Sequence, residues 1–274
     1  MQTSYALHKI NHANQFTFSQ ADYSKFKYGD NSIAQNFGNA LAAGFINTHL
    51  KTNNNINQLV VISSPYAFIP TATFAMKNFF VIALNRWLAH NNYPVVQETK
   101  VYRTVTYKED YGNLNAEDRM RLIGNDSFYI DATFLENKTL IFLDDIKITG
   151  SHEKMITKML ANYNIKNKTY LVYFAALINK NIPAQIENYL NNFVVKSVLD
   201  LDAIINNNNF AINTRIVKFI LNNNAEDFLN FIKCQNTSFV NLLYDMAIGN
   251  NYHNIETYSK NLLFIKTTLL NLKN

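Results

Sequence analysis

Two adjacent carboxylates follow a run of apolar residues in the segment TLIFLDDIKITGSH, residues 139–152. The run Leu140–Leu143 has the length and composition of a buried strand, and Asp144 and Asp145 come directly after it. In open α/β sheets, ligands bind beyond the carboxyl ends of the strands. The two carboxylates are therefore expected at a ligand-binding edge, where they could accept hydrogen bonds from a sugar diol or hold Mg²⁺.

The residues after these carboxylates form a short loop of small side chains that leads into a predicted helix. Thr149, Gly150 and Ser151 can expose successive backbone N–H groups, and a helix that starts near Ser151 adds positive potential behind them. Such a loop is suited to a phosphate monoester. A diol on the carboxylates and a phosphate on the loop together describe a phosphoribosyl group.

Residues 140–151 resemble the phosphoribosyl-pyrophosphate (PRPP) motif of type I phosphoribosyltransferases, in which four apolar and two acidic residues precede a Thr-Gly loop. The resemblance implies that Asp144 and Asp145 bind the ribose hydroxyls and, directly or through water, Mg²⁺. The residues that it assigns to the 5-phosphate are Ile146, Lys147, Ile148, Thr149, Gly150, Ser151 and His152.

Two positions of this motif depart from the family pattern. Ile148 stands where the family usually has a polar or acidic residue, which takes part in catalysis in several members. His152 stands where the family usually has threonine, and its ring could still donate a hydrogen bond to phosphate. No general base is assigned from the sequence, so the catalytic residues are left unknown.

Two further segments are predicted to bind pyrophosphate. The loop at 63–72 follows a second predicted strand, QLVVIS, and takes the place of the pyrophosphate loop of type I phosphoribosyltransferases. Residues 102–124 resemble the mobile loop of the ComF-like subgroup. The alternatives are an ordinary strand–helix connection, and arginines that only pair with neighbouring carboxylates. The residues assigned to pyrophosphate are Ser63, Ser64, Pro65, Tyr66, Arg103, Arg119 and Arg121.

The segment ADYSKFKYGD, residues 21–30, resembles a Tyr-Ser-x-Phe-Lys-x-Gly pattern of ComF-like phosphoribosyltransferases predicted in tellurium-resistance and stress-response operons. In that subgroup the pattern belongs to the hood, a small region over the sheet where the acceptor binds. The resemblance implies acceptor contacts for Tyr23, Lys27 and Tyr28. The alternative is an aromatic turn packed on the body of the protein.

The composition narrows the class of protein. Of the 274 residues, 48% are hydrophobic and 16% charged, which is typical of a globular protein, and no apolar run is long enough to span a membrane. With one cysteine and no secretory pattern, a cytoplasmic location is expected. The net charge is +5, and five basic residues between 100 and 121 favour an anion-binding pocket over a nucleic-acid interface.

Strands alternate with helices up to about residue 200, and helical spacing dominates afterwards. We expect an α/β fold of the type I phosphoribosyltransferase (Rossmann-like) kind, a parallel sheet flanked by helices. The predicted parts are an N-terminal hood segment and first helix (1–50), the α/β core (51–200) and an all-helical C-terminal extension (201–274). An edge strand is expected at 193–198, and Asn31 or Ser32 is expected to cap the helix at 31–50.

The predicted function is transfer of 5-phosphoribosyl from PRPP, with Mg²⁺, to an unidentified nucleobase-like acceptor, with release of pyrophosphate. The predicted partners are PRPP and a small-molecule acceptor, and a homodimer is left open. A PRPP- or nucleotide-binding regulatory module without catalysis is the alternative, which Ile148 and the unassigned base favour. A nucleic-acid-associated protein is a further alternative, supported only by the sequence pI of about 9.0.

Overall fold

The computed structural model describes residues 2–53, 55–103 and 128–271. Its strands are β1 (Gln2–Ile10), β2 (Leu59–Ser63), β3 (Gln97–Glu98), β4 (Tyr102–Arg103), β5 (Phe128–Tyr129), β6 (Thr139–Lys147) and β7 (Thr169–Leu177). Five of them form one parallel sheet in the order β1-β7-β6-β2-β3, and β4 pairs with β5 in a separate antiparallel ribbon. The predicted parallel α/β fold is confirmed.

Helices cover both faces of this sheet and form the C-terminal region. Shorter 3₁₀ or π segments lie at Ile46–Leu50, Val198–Leu201 and Tyr252–Asn254. None of the helices in the described ranges is long and apolar enough to cross a bilayer. The α-helices are α1 (Gln20–Lys27), α2 (Asn31–Phe45), α3 (Ala72–His90), α4 (Ala132–Leu135), α5 (Ser151–Asn162), α6 (Ile186–Asn191), α7 (Asp202–Ile205), α8 (Thr214–Leu221), α9 (Ala225–Lys233), α10 (Thr237–Gly249) and α11 (Glu256–Asn271).

The central strands are apolar on both faces because each face is covered. Ile141 and Leu143 of β6 belong to the core cluster that includes α2 and α3, whereas Leu140 and Phe142 belong to the cluster with Met159 of α5. This alternation follows from the two-residue period of a strand. It places residues 144 and 145, at the end of β6, on opposite faces of the sheet.

The strand order creates a crevice between β2 and β6. The chain leaves β2 towards β3 on one side, and it leaves β6 towards β7 on the other side. At such a switch point the connections diverge, and open α/β sheets bind ligands there. The loops 64–71 and 148–150, which follow these two strands, therefore border the expected ligand site.

Two predictions about the sheet and its helices are wrong. Residues 193–198 form no strand in the described chain; Val195 and Val198 are buried in the core of the helical region instead. The edge strand is β1, which lies inside the segment predicted as hood and pairs with β7. The cap of α2 is Asp30, whose carboxylate accepts from the backbone N–H groups of Ser32 and Ile33 at 3.1 and 3.2 Å.

The C-terminal region is helical, as predicted, and its helices share a hydrophobic core. Asparagines cap three of them: the side chains of Asn213, Asn224 and Asn236 each accept a hydrogen bond from the backbone N–H three residues later. The core of the region also contains Tyr28 and Ile69, which come from the sheet region. The division into residues 1–50, 51–200 and 201–274 stays a prediction.

Candidate functional site

Asp144 and Asp145 both lie within β6, which continues to Lys147 rather than ending at Leu143 as expected. Consecutive side chains of a strand point to opposite faces. The two carboxylates therefore have different surroundings, although the sequence pattern treats them as one pair.

Asp145 is buried on the α2 and α3 side of the sheet and takes its partners from the protein. Its Oδ2 accepts from the Tyr23 hydroxyl at 2.6 Å and forms an ion pair with Lys27, while its Oδ1 accepts from Thr73 Oγ1 at 2.9 Å. Burial alone would raise the pKa of Asp145, but Lys27 and the hydrogen bonds outweigh it and hold this pKa well below its usual value.

The predicted hood residues are buried. Tyr23 and Lys27 contact Asp145, and the Tyr28 hydroxyl donates to Asn192 Oδ1 at 2.6 Å. These contacts are those of the alternative considered above, a turn packed on the body. Acceptor binding by Tyr23, Lys27 and Tyr28 stays a prediction.

Asp144 connects the two loops at the crevice. Its Oδ1 accepts from Ser64 Oγ at 2.7 Å, and its Oδ2 lies 2.7 Å from His152 Nδ1. A carboxylate can only accept, so Nδ1 of His152 carries the proton in this pair. Asp144, His152 and Pro65 line a cleft between the sheet and α5, together with Tyr173. Asp144 is thus the acidic residue of the motif that borders open space.

Tyr173 is a member of this cleft that the sequence analysis did not assign. It is the register partner of Asp144 on β7. Burial, followed by the nearby carboxylates of Asp144 and Glu153, raises the pKa of Tyr173, so its phenol keeps its proton at neutral pH. The apolar run of β7 did not single out this residue, and only the register of the strands places it opposite Asp144.

Thr73 was also missed. It is buried in the first turn of α3 and donates to Asp145, and its hydroxyl is 3.4 Å from Asp144 Oδ1. The helix start after the predicted pyrophosphate loop was the available signal, because the first turn of that helix returns to the carboxyl edge of the sheet.

The predicted phosphate loop has a backbone suited to an anion. Gly150 precedes α5 with φ of 73°, in the left-handed region, and the hydroxyls of Thr149 and Ser151 are 2.7 Å apart. At the strand end, Ile146 is buried, Lys147 pairs with Glu153, and Ile148 packs against the core. The six residues 147–152 surround the N-terminus of α5, where unpaired backbone N–H groups favour negative charge.

Gly150→Ala is expected to lower the free energy of unfolding by about 1–2 kcal/mol, because an L side chain is strained in the left-handed conformation. Space is not the obstacle, since an added Cβ would meet only Lys147 at 3.7 Å. Denaturant unfolding of the variant measures the change. Gly150→Asn is the matched control, because asparagine tolerates this conformation better; equal losses for both variants would contradict the explanation.

The predicted pyrophosphate loop lies across the crevice from this helix. Ser63 ends β2, Ser64 contacts Asp144, Pro65 lines the cleft, and the Tyr66 ring packs edge-on against Phe74. Lys100, which was not assigned, lies 3.8 Å from the centre of the Tyr66 ring and donates to the carbonyl of Ala67 at 2.8 Å.

The predicted arginines are placed less fully. Arg103 belongs to β4. Arg119 and Arg121 lie outside the described residues. Their assignment to pyrophosphate stays a prediction.

The described residues contain no cluster of three or more His, Cys, Asp or Glu side chains that could hold a metal by themselves. Mg²⁺ commonly takes one or two carboxylates and completes its shell with phosphate oxygens and water. Asp144 is the carboxylate at the crevice that is placed to contact such a complex.

Several solved phosphoribosyltransferases are similar to part of this chain. Hypoxanthine phosphoribosyltransferase from Staphylococcus aureus is 13% identical over 60% of this chain and 77% of its own, with a TM-score of 0.31. Hypoxanthine-guanine phosphoribosyltransferase from L. donovani is 13% identical over 55% and 70%, with a TM-score of 0.31. A Trypanosoma cruzi hypoxanthine phosphoribosyltransferase is 14% identical over 64% and 75%, with a TM-score of 0.31.

No curated protein matches the chain. A family model does, and it covers nearly the whole length: the model described as PRTase ComF-like matches residues 1–265. The match includes the β6 motif, the crevice and the C-terminal helices. The chain belongs to the ComF-like family of phosphoribosyltransferases.

Proposed function

We propose that this protein transfers the 5-phosphoribosyl group of PRPP to a nucleobase-like acceptor, with Mg²⁺, and releases pyrophosphate. One observation carries the proposal: Asp144 joins the loop after β2, through Ser64, to the start of α5, through His152. In the part of the chain that the structure describes, the carboxylate of Asp144 thus connects the two loops that we propose to bind phosphate and pyrophosphate. PRPP has the matching order of groups, a diol between a 5-phosphate and a 1-pyrophosphate.

The roles of the residues follow this order. The loop from Ile146 to His152 would bind the 5-phosphate. Asp144 would bind the ribose hydroxyls and Mg²⁺, and the loop from Ser63 to Tyr66 would bind pyrophosphate. The predicted arginines Arg103, Arg119 and Arg121 would add positive charge for pyrophosphate. Asp145 is buried and already accepts from three protein donors, and we propose that it holds α1 and α3 in place.

In the proposed reaction, the bond between C1 of the ribose and the pyrophosphate oxygen breaks with its electron pair on the oxygen. The acceptor nitrogen forms a bond to C1 through its lone pair and loses its proton to water, because no general base is assigned. Positive charge develops on the ribose, as in glycoside hydrolysis. The protein acts by positioning the reacting groups and by stabilising the charge of the leaving group. Mg²⁺, when bound, supplies charge neutralisation at the diphosphate oxygens.

A PRPP- or nucleotide-binding regulatory module is the second candidate. The packing of Ile148 against the core favours it, because the position where relatives carry an acid or base is here apolar and turned inward. Such a module would keep the anion-binding loops and Asp144 but would not catalyse transfer.

Calorimetric titration with PRPP, with and without Mg²⁺, tests both candidates. We expect binding that weakens at least about tenfold when EDTA removes Mg²⁺, because the carboxylate at the crevice then faces an unshielded diphosphate. Ribose 5-phosphate, which lacks pyrophosphate, is the matched control ligand and should bind more weakly. Failure to bind PRPP in any condition would exclude the transferase and a module that binds PRPP.

An assay of pyrophosphate release distinguishes the transferase from the regulatory module. The assay uses PRPP, Mg²⁺ and a panel of purine and pyrimidine bases. Release that depends on one acceptor supports the transferase. Binding of PRPP without release on any base supports the regulatory module.

A further inference from the structure

We propose that the C-terminal helices position the candidate pyrophosphate loop, residues 64–71, and that Asn250 and Thr214 are the positioning residues. The assignment of pyrophosphate as the ligand of this loop rests on the proposed function. The contact between the helices and the loop rests on hydrogen bonds and packing alone. This gives the C-terminal region a role in substrate binding, beyond its role as a second core.

Asn250 accepts hydrogen bonds from two backbone N–H groups of the loop. It follows α10 directly, and its Oδ1 accepts from the backbone N–H of Phe68 at 2.8 Å and of Ile69 at 3.1 Å. Its own Nδ2 donates to the Tyr252 hydroxyl at 3.0 Å, which fixes the direction of the amide. Asn250 and Tyr252 are buried, so these hydrogen bonds are shielded from water.

Thr214 donates hydrogen bonds to two carbonyl groups of the same loop. At the start of α8, its hydroxyl donates to the carbonyl of Ile69 at 2.8 Å and to that of Pro70 at 3.1 Å. Its backbone N–H also donates to Pro70 at 2.9 Å. Ile69 itself is fully buried in the core of the helical region.

Packing adds a third contact that is independent of these hydrogen bonds. The Phe68 ring lies against the end of α10 at Gly249, where an added Cβ would come within 2.3 Å of the ring. A glycine at this position therefore lets the ring lie directly on the helix backbone. A side chain at 249 would push the Phe68 ring off the helix and so remove this contact with the loop.

The loop is thus fixed at its middle by the helices and at its ends by the sheet. Ser64 contacts Asp144 at one end, and Thr73, just after the other end, contacts Asp145. Among the described residues, the backbone N–H groups of Tyr66 and Ala67 have no acceptor. Donors that are held in place before a charged ligand arrives bind it better than donors that must first be ordered.

Asn250→Ala tests the proposal. It removes the acceptor of two buried N–H groups, and the loop should open more often. Hydrogen–deuterium exchange of peptides from 64–71 is expected to become about tenfold faster. PRPP, titrated with Mg²⁺, should bind about tenfold more weakly. Thr214→Ser keeps the hydroxyl that donates to the carbonyls of Ile69 and Pro70, so it should leave both values within about threefold of the parent.

Asn261→Ala is the matched control. Asn261 is also a buried asparagine of the helical region, and its Nδ2 donates to the carbonyls of Leu221 and Asn223 at 3.0 and 2.9 Å, away from the loop. This variant should lose stability like Asn250→Ala but leave the exchange of the loop and PRPP binding unchanged. Equal effects of the two variants on the loop would overturn the proposal, because general destabilisation would explain them.

Gly249→Ala serves if Asn250→Ala does not fold. Alanine is a better helix former than glycine by about 1 kcal/mol, so α10 is kept while Phe68 is displaced. Faster exchange at 64–71 and weaker PRPP binding support the proposal, and unchanged exchange in this variant overturns it. A parent protein that does not bind PRPP would refute the proposed function alone, because the exchange data still decide whether the helices hold the loop.

Discussion

Lys27→Met should lower the free energy of unfolding by about 3–5 kcal/mol. The substitution leaves the Asp145 carboxylate buried with two hydroxyl donors, Tyr23 and Thr73, but without its positive partner. A buried charge without a counter-ion is far more unfavourable than a pair of matching apolar groups. Denaturant unfolding at pH 7 measures the loss.

Two variants control for this result. Lys25→Met removes an exposed charge from the same helix and should change stability by no more than about 0.5 kcal/mol. Asp145→Asn in the Lys27→Met background removes the unpaired charge; its amide oxygen can accept from one of the two hydroxyls and its NH2 group can donate to the other, so it should recover much of the loss. A Lys27→Met protein as stable as the parent would show that the ion pair contributes nothing.

The pH dependence of stability tests the same ion pair between Lys27 and Asp145. In the parent, the folded pKa of Asp145 lies below its ordinary value of 3.8, so its stabilisation is present above that pH and is lost as the pH falls towards the folded pKa. In Lys27→Met, burial remains and should raise this pKa, so protonation favours the folded state. The stability gap between the two proteins should therefore narrow from pH 6 to pH 3.

Asp144→Asn should weaken PRPP binding in the presence of Mg²⁺ by about 100-fold, or about 3 kcal/mol, while stability falls by at most about 1 kcal/mol. The amide can still accept from Ser64, but it lacks the charge for Mg²⁺ and cannot accept from the Nδ1–H of His152 in the present orientation. Calorimetric titration and denaturant unfolding of the same preparation give both values.

Asp145→Asn is the matched variant, one residue away in the same strand. It should show the opposite pattern: a clear loss of stability, and PRPP binding within about tenfold of the parent, because its carboxylate is bound by protein groups. A variant of Asp145 that remains stable but no longer binds PRPP would reverse the two roles. It would also support the ribose contact that the family resemblance implies for Asp145.

The sequence was sufficient to predict the three central strands of the sheet. The apolar runs at 58–63, 139–143 and 169–178 correspond to β2, β6 and β7, because strands buried on both faces leave continuous apolar sequence. The edge strand was missed, since much of β1 is only partly buried and it carries no apolar run. The apolar run at 193–198 was wrongly predicted as a strand, because its apolar side chains are buried against helices and not in the sheet.

The division of labour between the two aspartates could not be predicted from the sequence. The partners of Asp145 lie 122 and 118 positions away, at Tyr23 and Lys27, and no local pattern links them to β6. Placing the end of the strand at Leu143 also hid the fact that 144 and 145 point to opposite faces. Once the strand is seen to continue to Lys147, the two roles follow from its alternation.

The core of the C-terminal helices includes Tyr28 and Ile69, which come from the sheet region. This has a consequence for how such a region is inherited. Recombination that moved the helices alone into another protein would remove the side chains of Tyr28 and Ile69 from their core. The same two side chains would be exposed in the donor protein. The helices and the sheet region are therefore expected to pass between genomes together, and substitutions at their junction are expected to covary.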